Sequence, residues 1–125
     1  ADATANAVLE KGMNKMGLLG TAFTMEQDFY CKKLEARGIE VLVPDADDRR
    51  EISRVIYDEL CLGKILPGSR SRYIEVIEKL AAEGAQGVVL GCTEIGLLIS
   101  PQDTILPLFD TARIHASEAA EFALK

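Results

Sequence analysis

The amino-acid sequence predicts an α/β protein in which a parallel four-stranded sheet is covered by helices on both faces. Short apolar runs that end at glycine or proline, typical of buried strands, alternate along the chain with longer segments of helical character. Strands separated by helices are the pattern of a parallel sheet with both faces covered. The 125 residues are enough for one domain with a core of its own.

Four segments are predicted as strands because each is short, apolar and bounded by turn residues. The first ends at Gly20 and the second is closed by Pro44. The four segments are residues 15–20, 39–43, 87–90 and 104–109.

Helices are predicted from caps, apolar spacing and terminal glycines. Thr24 and Gln27 fit a capping box, Asp47 and Asp110 are candidate caps, and Gly38 ends one segment. The predicted helical segments are residues 1–12, 24–37, 47–63, 69 or 71 to 84, and 110–122.

Composition excludes several classes of function. The net charge of −6, with no basic stripe, argues against a nucleic-acid partner, and no long apolar run predicts a membrane span. Three widely spaced cysteines without a signal peptide indicate reduced thiols in the cytoplasm. A single histidine, His115, within a predicted helix and no C-x-x-C pair leave little material for a metal site. The predicted helix over residues 1–12 begins at the very start of the sequence, which suggests that the chain is a piece of a longer protein.

Polar residues follow three of the predicted strands. The segments are GTAFT after the first strand, GCTE after the third and FDT after the fourth. Ligands of parallel sheets bind beyond the carboxyl ends of the strands, and helix N-termini there favour an anionic ligand. Thr24 and Asp110 could instead serve only as helix caps.

Cys92 is the candidate reactive side chain. It lies between a strand and a helix, where the helix dipole is expected to lower the pKa of a thiol below its reference of about 8.5. The alternative is a small buried hydrophobe, because free cysteines are commonly buried. Cys31 and Cys61 fall inside predicted helices; Cys61 is expected in the core, and the C-x5-R spacing of Cys31 lacks the glycines of a phosphate loop.

Three segments, LLGTAFTMEQDFY, VVLGCTEIGLLI and LPLFDTARIHA, together resemble the cofactor-independent aspartate/glutamate racemase family. The resemblance extends over nearly the whole chain, and the segments occur in the family's order. It implies two similar α/β lobes with the active site between them. It also implies two opposed acid/base residues, usually one cysteine from each lobe, and no pyridoxal or other cofactor.

The resemblance also implies roles for individual residues. Cys92 matches the cysteine of the second lobe and is the expected catalytic residue. The residues that match the family's substrate-holding groups are Thr21, Thr24 and Thr93. The residues expected to support them are Glu94, Asp110 and Thr111.

The family's first-lobe motif, a Cys or Thr followed by Asn-Thr after a strand, is absent from the sequence. Residues 1–125 are therefore expected to form the second lobe, inactive or nearly so alone, with the first lobe a separate or missing part. The expected reaction is racemisation of aspartate or glutamate by two-base proton transfer at Cα. The alternatives are a dicarboxylate-binding domain without chemistry and a related Cα epimerase or decarboxylase. Association of two copies of this chain into a homodimer is a further alternative.

Overall fold

The four strands form one sheet in which every neighbouring pair is parallel. The computed structural model describes residues 2–26, 28–92, 94–111, 113, 114 and 116. Within them the strand order is β2-β1-β3-β4. The strands are β1 Lys15–Leu19, β2 Glu40–Leu42, β3 Gly87–Leu90 and β4 Leu108–Asp110. The predicted parallel sheet with helices on both faces is confirmed.

Helices connect the strands and differ greatly in length. None of those in the described part of the chain is long and apolar enough to cross a membrane. Residues 111, 113, 114 and 116 are helical, and the rest of the predicted last helix lies outside the described residues. The six bounded helices are α1 Asp2–Glu10, α2 Ala22–Glu26, α3 Asp28–Glu35, α4 Ala46–Asp58, α5 Pro67–Ala82 and α6 Ile95–Leu98.

Two apolar clusters, one on each face, hold the sheet. The larger contains side chains of α4, α5 and α6, and the smaller contains side chains of α1 and α3. Successive residues of β1 alternate between them, so that Leu18 joins the smaller cluster and Leu19 the larger. Both side chains are fully buried, which explains why the central strands are apolar apart from Lys15 at the start of β1.

The strand order reverses between β1 and β3. The chain leaves β1 for β2 on one side, then crosses back to β3 on the other side. Leu19 pairs with Leu90, so the two strands end level with each other. In open parallel sheets such a reversal opens a crevice beyond the strand ends, where ligands bind. The segments GTAFT and GCTE both follow strands at this point.

Two helix caps differ from the prediction. Thr21, not Thr24, caps α2, because its hydroxyl accepts the backbone N–H of Thr24 at 3.3 Å. Asp45, not Asp47, caps α4, because its carboxylate accepts the N–H of Asp48 at 2.9 Å. Each helix start contains two residues of a type that can cap a helix, and their spacing in the sequence does not show which of the two forms the cap.

Two further boundaries differ. Helix α5 begins at Pro67, ahead of the predicted serines, since proline fits the first helical position. Strand β4 begins at Leu108 instead of residue 104. The preceding segment forms a turn in which Leu106 donates its N–H to the Thr104 hydroxyl at 3.3 Å.

Candidate active site

The turn after β1 presents two threonine hydroxyls side by side. The Oγ1 atoms of Thr21 and Thr24 are 3.2 Å apart, and the Thr21 carbonyl accepts the N–H of Met25 at 3.0 Å. Both threonines are partly buried. A hydroxyl can donate one hydrogen bond and accept others, so the pair can contact a polar ligand beyond the strand end.

Close packing between two strand ends brings Thr24 next to the cysteine segment. A Cβ on Gly91 would lie 3.1 Å from Thr24 Cγ2 and 3.2 Å from the Leu19 carbonyl oxygen. A Cβ on Gly20 would likewise lie 3.2 Å from Thr24 Cβ. Glycine is therefore required for the close approach. Since Cys92 follows Gly91 directly, the structure places the cysteine segment beside Thr24.

Cys92 and Glu94 form a hydrogen-bonded thiol–carboxylate pair. The Cys92 thiol donates to Glu94 Oε2 at 2.8 Å, and both side chains are partly buried. Burial raises the pKa of the Cys92 thiol to about 11, and the hydrogen bond and negative charge of Glu94 add to the rise. The predicted lowering of this pKa is wrong. Helix α6 has only four residues, so its dipole is small, and the adjacent carboxylate stabilises the protonated thiol.

Replacing Glu94 with Gln is expected to accelerate alkylation of Cys92. The pKa should fall toward the ordinary thiol value when the negative charge is removed, so the thiolate fraction at pH 8 rises. Iodoacetamide labelling followed by peptide mass spectrometry measures the rate at each cysteine. Exposed Cys61 is the internal control and should label at the same rate in both proteins. Equal Cys92 rates in the two proteins would contradict the pairing.

Asp110 and Thr111 connect the end of β4 to β3, to α6 and to the residues that follow β4. The Thr111 hydroxyl donates to the Leu90 carbonyl at 2.9 Å, which joins the ends of β4 and β3. Asp110 Oδ1 accepts the N–H of Arg113 at 3.3 Å, as predicted for a helix cap. Asp110 Oδ2 would lie 2.8 Å from a Cβ on Gly96, so the carboxylate contacts α6 closely.

Two residues singled out by the sequence, Thr93 and His115, lie outside the described residues. Cys61 is exposed, so its predicted place in the core is wrong; it lies in a turn at Leu60–Leu62 that follows α4. Cys31 packs in part against the smaller cluster. Among the residues that the structure describes, no three His, Cys, Asp or Glu side chains gather where they could hold a metal ion.

Sequence reasoning missed two side chains that support the site. The Ser53 hydroxyl of α4 accepts the N–H of Ala22 at 3.0 Å. Tyr73 lies fully buried in the larger cluster, against which Cys92 packs, and donates its hydroxyl to the Ile52 carbonyl at 2.7 Å. Burial first, and then the nearby Cys92, raises the pKa of Tyr73 far above its usual value. In the sequence, the only indication that Tyr73 is buried is its helical spacing with Ile77 and Leu80.

A groove of about 570 Å³ is lined in part by Asp110. Its walls come from α1, α6 and β4, and they include the charged side chains of Lys11 and Arg113. Thr21, Thr24 and Cys92 do not line it. The groove therefore shares Asp110 with the candidate site but not its thiol or its threonine hydroxyls.

Replacing Gly91 with Ala is expected to destabilise the chain by about 1 kcal/mol or more, because the new methyl group meets a backbone carbonyl that cannot move freely. Urea unfolding monitored by circular dichroism measures the change. Gly68→Ala is the control, since a Cβ there meets nothing within 4 Å. Equal stability of the two variants would contradict the close approach of the strand ends.

Together the fold and site define an α/β protein with a thiol, a carboxylate and two hydroxyls at the reversal of a parallel sheet. The chain belongs to the Asp/Glu/hydantoin racemase family, whose model matches residues 1–119. The predicted resemblance to this family is confirmed.

Solved structures share this fold. A candidate Asp/Glu racemase from Yersinia pestis is 55% identical with a TM-score of 0.95, over 100% of this chain and 55% of that chain. An aspartate racemase homologue from Pyrococcus horikoshii OT3 is 41% identical with a TM-score of 0.93, over 99% of this chain and 54% of that chain. An aspartate racemase from Picrophilus torridus, 24% identical with a TM-score of 0.72 over 88% and 45% of the chains, shows the fold alone.

An uncharacterized protein of Pectobacterium carotovorum subsp. carotovorum is 27% identical over 101 residues, which are 81% of this chain and 66% of that protein. This chain spans about half the length of the Yersinia and Pyrococcus structures.

Proposed function

We propose that this chain supplies Cys92 as one of two acid/base residues that racemise an acidic amino acid, aspartate or glutamate, without a pyridoxal cofactor. The observation that carries the proposal is the 2.8 Å hydrogen bond between Cys92 and Glu94, beside the threonine pair, in a chain of the racemase family. Inversion at Cα needs a proton removed from one face and another delivered to the opposite face.

The thiol–carboxylate pair can serve both directions of the reaction. A thiol whose pKa is raised is protonated at neutral pH, so Cys92 is ready to donate a proton to a Cα carbanion. In the reverse direction Cys92 must lose its proton before it can remove one from Cα. The Glu94 carboxylate accepts that hydrogen bond already and is placed to receive the proton.

The carboxylates of the substrate are proposed to bind through hydroxyl groups. Thr21 and Thr24 offer two adjacent hydroxyls, and Thr93 is a third in the proposal. The chain carries a net charge of −6, which opposes an anionic substrate. Short-range hydrogen bonds must therefore outweigh the long-range repulsion, which salt screens beyond about 10 Å.

The opposing acid/base residue is proposed to come from a first lobe outside this chain, and residues 1–125 are proposed to be the second lobe. Apolar side chains next to the site support a covering partner. Phe23, in the threonine turn, is 72% exposed, and Leu97 of α6 is 61% exposed. A partner that covers these two side chains would remove their apolar surface from water. A second copy of this chain is the alternative partner.

Combining this chain with the unmatched part of the Yersinia pestis relative tests the proposal; we call this pair the complemented enzyme. Chiral chromatography after incubation with L-aspartate or L-glutamate measures racemisation. The complemented enzyme is expected to form the D-isomer, and this chain alone is expected to form little or none. Activity of the chain alone at the rate of the complemented enzyme would contradict the need for a first lobe.

One observation favours a second function, binding of a dicarboxylate without chemistry. A protonated, hydrogen-bonded thiol could serve simply as a polar contact. Cys92→Ser in the complemented enzyme separates the two functions. A binding protein would keep its ligand affinity and lose nothing else, whereas a racemase loses turnover.

A further inference from the structure

Side chains of α4 contact the short helix α2 at both of its ends. At its start, the Ser53 hydroxyl accepts the N–H of Ala22 at 3.0 Å. At its end, Arg49 Nε lies 3.5 Å from the Glu26 carboxylate. Arg49 and Ser53 are four residues apart on α4, as are Ala22 and Glu26 on α2, so each pair lies one helical turn apart on one face.

Helix α2 depends on these contacts for its orientation. It has five residues, too few to be stable without packing. Ser53 is only 8% exposed, so its hydrogen bond is shielded from water. The contact with Ala22 adjoins Thr21 directly, whereas the Arg49 contact lies beyond Thr24.

The same contacts determine what the turn offers to a ligand. The Ala22 N–H is taken by Ser53, and the Thr24 N–H is taken by the Thr21 hydroxyl. These two N–H groups are therefore engaged within the chain, and the direction of the threonine hydroxyls depends on how the first residue of α2 is held.

We propose that Ser53 is a positioning residue that fixes the direction of the Thr21 and Thr24 hydroxyls for the substrate. The inference rests on the proposed function only for the identity of the bound molecule. The orientation itself is a property of this chain and is measurable without activity.

Nuclear magnetic resonance of the 125-residue chain carrying Ser53→Ala, Ser53→Thr or Ser69→Ala tests the orientation. Ser69 is the matched control, a buried serine of α5 whose hydroxyl donates to Glu59, away from α2. In Ser53→Ala we expect amide exchange at Ala22 to be roughly tenfold faster, as for loss of one hydrogen bond, and the Thr21 and Thr24 methyl signals to shift. Ser53→Thr should restore both readouts, and Ser69→Ala should change neither. Unchanged exchange and methyl signals in Ser53→Ala would overturn the inference.

Kinetics of the complemented enzyme test the consequence for substrate. Ser53→Ala is expected to raise KM for L-aspartate or L-glutamate by roughly tenfold, with a much smaller change in kcat, because one oriented hydrogen bond to bound substrate is weakened. Equal KM values for Ser53→Ala and Ser69→Ala would overturn the role toward substrate. Absence of racemisation by the unsubstituted complemented enzyme, with the resonance result intact, would count against the proposed function and leave the orientation by Ser53 standing.

Discussion

Replacing Cys92 with Ala is expected to reduce racemisation by the complemented enzyme by about 10²- to 10⁴-fold, the usual contribution of a general acid or base. The substitution removes the only atom of that residue able to exchange a proton with Cα. Initial rates of D-aspartate or D-glutamate formation measure the loss. The effect should fall on kcat more than on KM, because the threonine hydroxyls that are proposed to bind substrate remain.

Cys61→Ala is the matched control for this substitution. It removes an exposed thiol from the turn after α4 and should leave the rate within about twofold, as is usual for a surface substitution. Circular dichroism should show that both variants remain folded, since Cys92 is only partly buried. A Cys92→Ala protein as active as Cys61→Ala would remove Cys92 from the mechanism.

The second large effect is expected at Asp48, a carboxylate of α4 that is 3% exposed. Arg72 of α5 donates to its Oδ1, and Lys79 of α5 donates to its Oδ2 at 3.1 Å. Asp48→Ala is expected to destabilise the chain by about 2–3 kcal/mol, because two charged hydrogen bonds between α4 and α5 are lost. The loss stays below that of a fully buried pair since Arg72 and Lys79 are partly exposed and regain water. Urea unfolding measures it.

The same carboxylate gives the stability a pH dependence. Burial raises the pKa of Asp48, but hydrogen bonds and charges from Lys79 and Arg72 outweigh it, so the pKa lies below its ordinary value of 3.8. A carboxyl with a depressed folded pKa stabilises the fold fully above its unfolded value. The stability difference between the wild type and Asp48→Ala should therefore be constant at neutral pH and shrink as the pH falls below about 4.

Asp47→Ala is the control for both measurements. Its side chain is 85% exposed and pairs with Arg50 at the surface, where an ion pair contributes little. Asp47→Ala should change stability by less than about 0.5 kcal/mol. If Asp48→Ala and Asp47→Ala were equally stable, Asp48 would not join α4 to α5.

The central strands of the sheet could be predicted from the sequence because they are buried on both faces and form short apolar runs. Strand β3 was predicted at its observed bounds, Gly87–Leu90, and β1 to within one residue. Edge strand β2 was found two residues shorter than predicted, and β4 was displaced. An edge strand has one neighbour, so local turn chemistry such as the Thr104 hydroxyl bond decides where it begins.

Sequence reasoning located candidate residues at the strand ends, but it did not give their chemistry. Strand-end position identified Thr24 and Cys92, and the family resemblance added Thr21. The structure places Thr24 beside the segment that carries Cys92. The direction of the thiol pKa was wrong, because it depends on the length of α6 and on where Glu94 points. Ser53 was missed because its role depends on α4 packing beside α2, a contact between segments that sequence spacing does not encode.

The central claim, that Cys92 exchanges the Cα proton as one of two bases, is tested most directly by racemisation in D₂O. The complemented enzyme acting on L-glutamate or L-aspartate is expected to give D-isomer with one deuteron at Cα, while early recovered L-isomer retains its proton. Cys92→Ala should form the deuterated D-isomer about 10²- to 10⁴-fold more slowly. A D-isomer that retains its original Cα proton, or undiminished incorporation in Cys92→Ala, would contradict the claim.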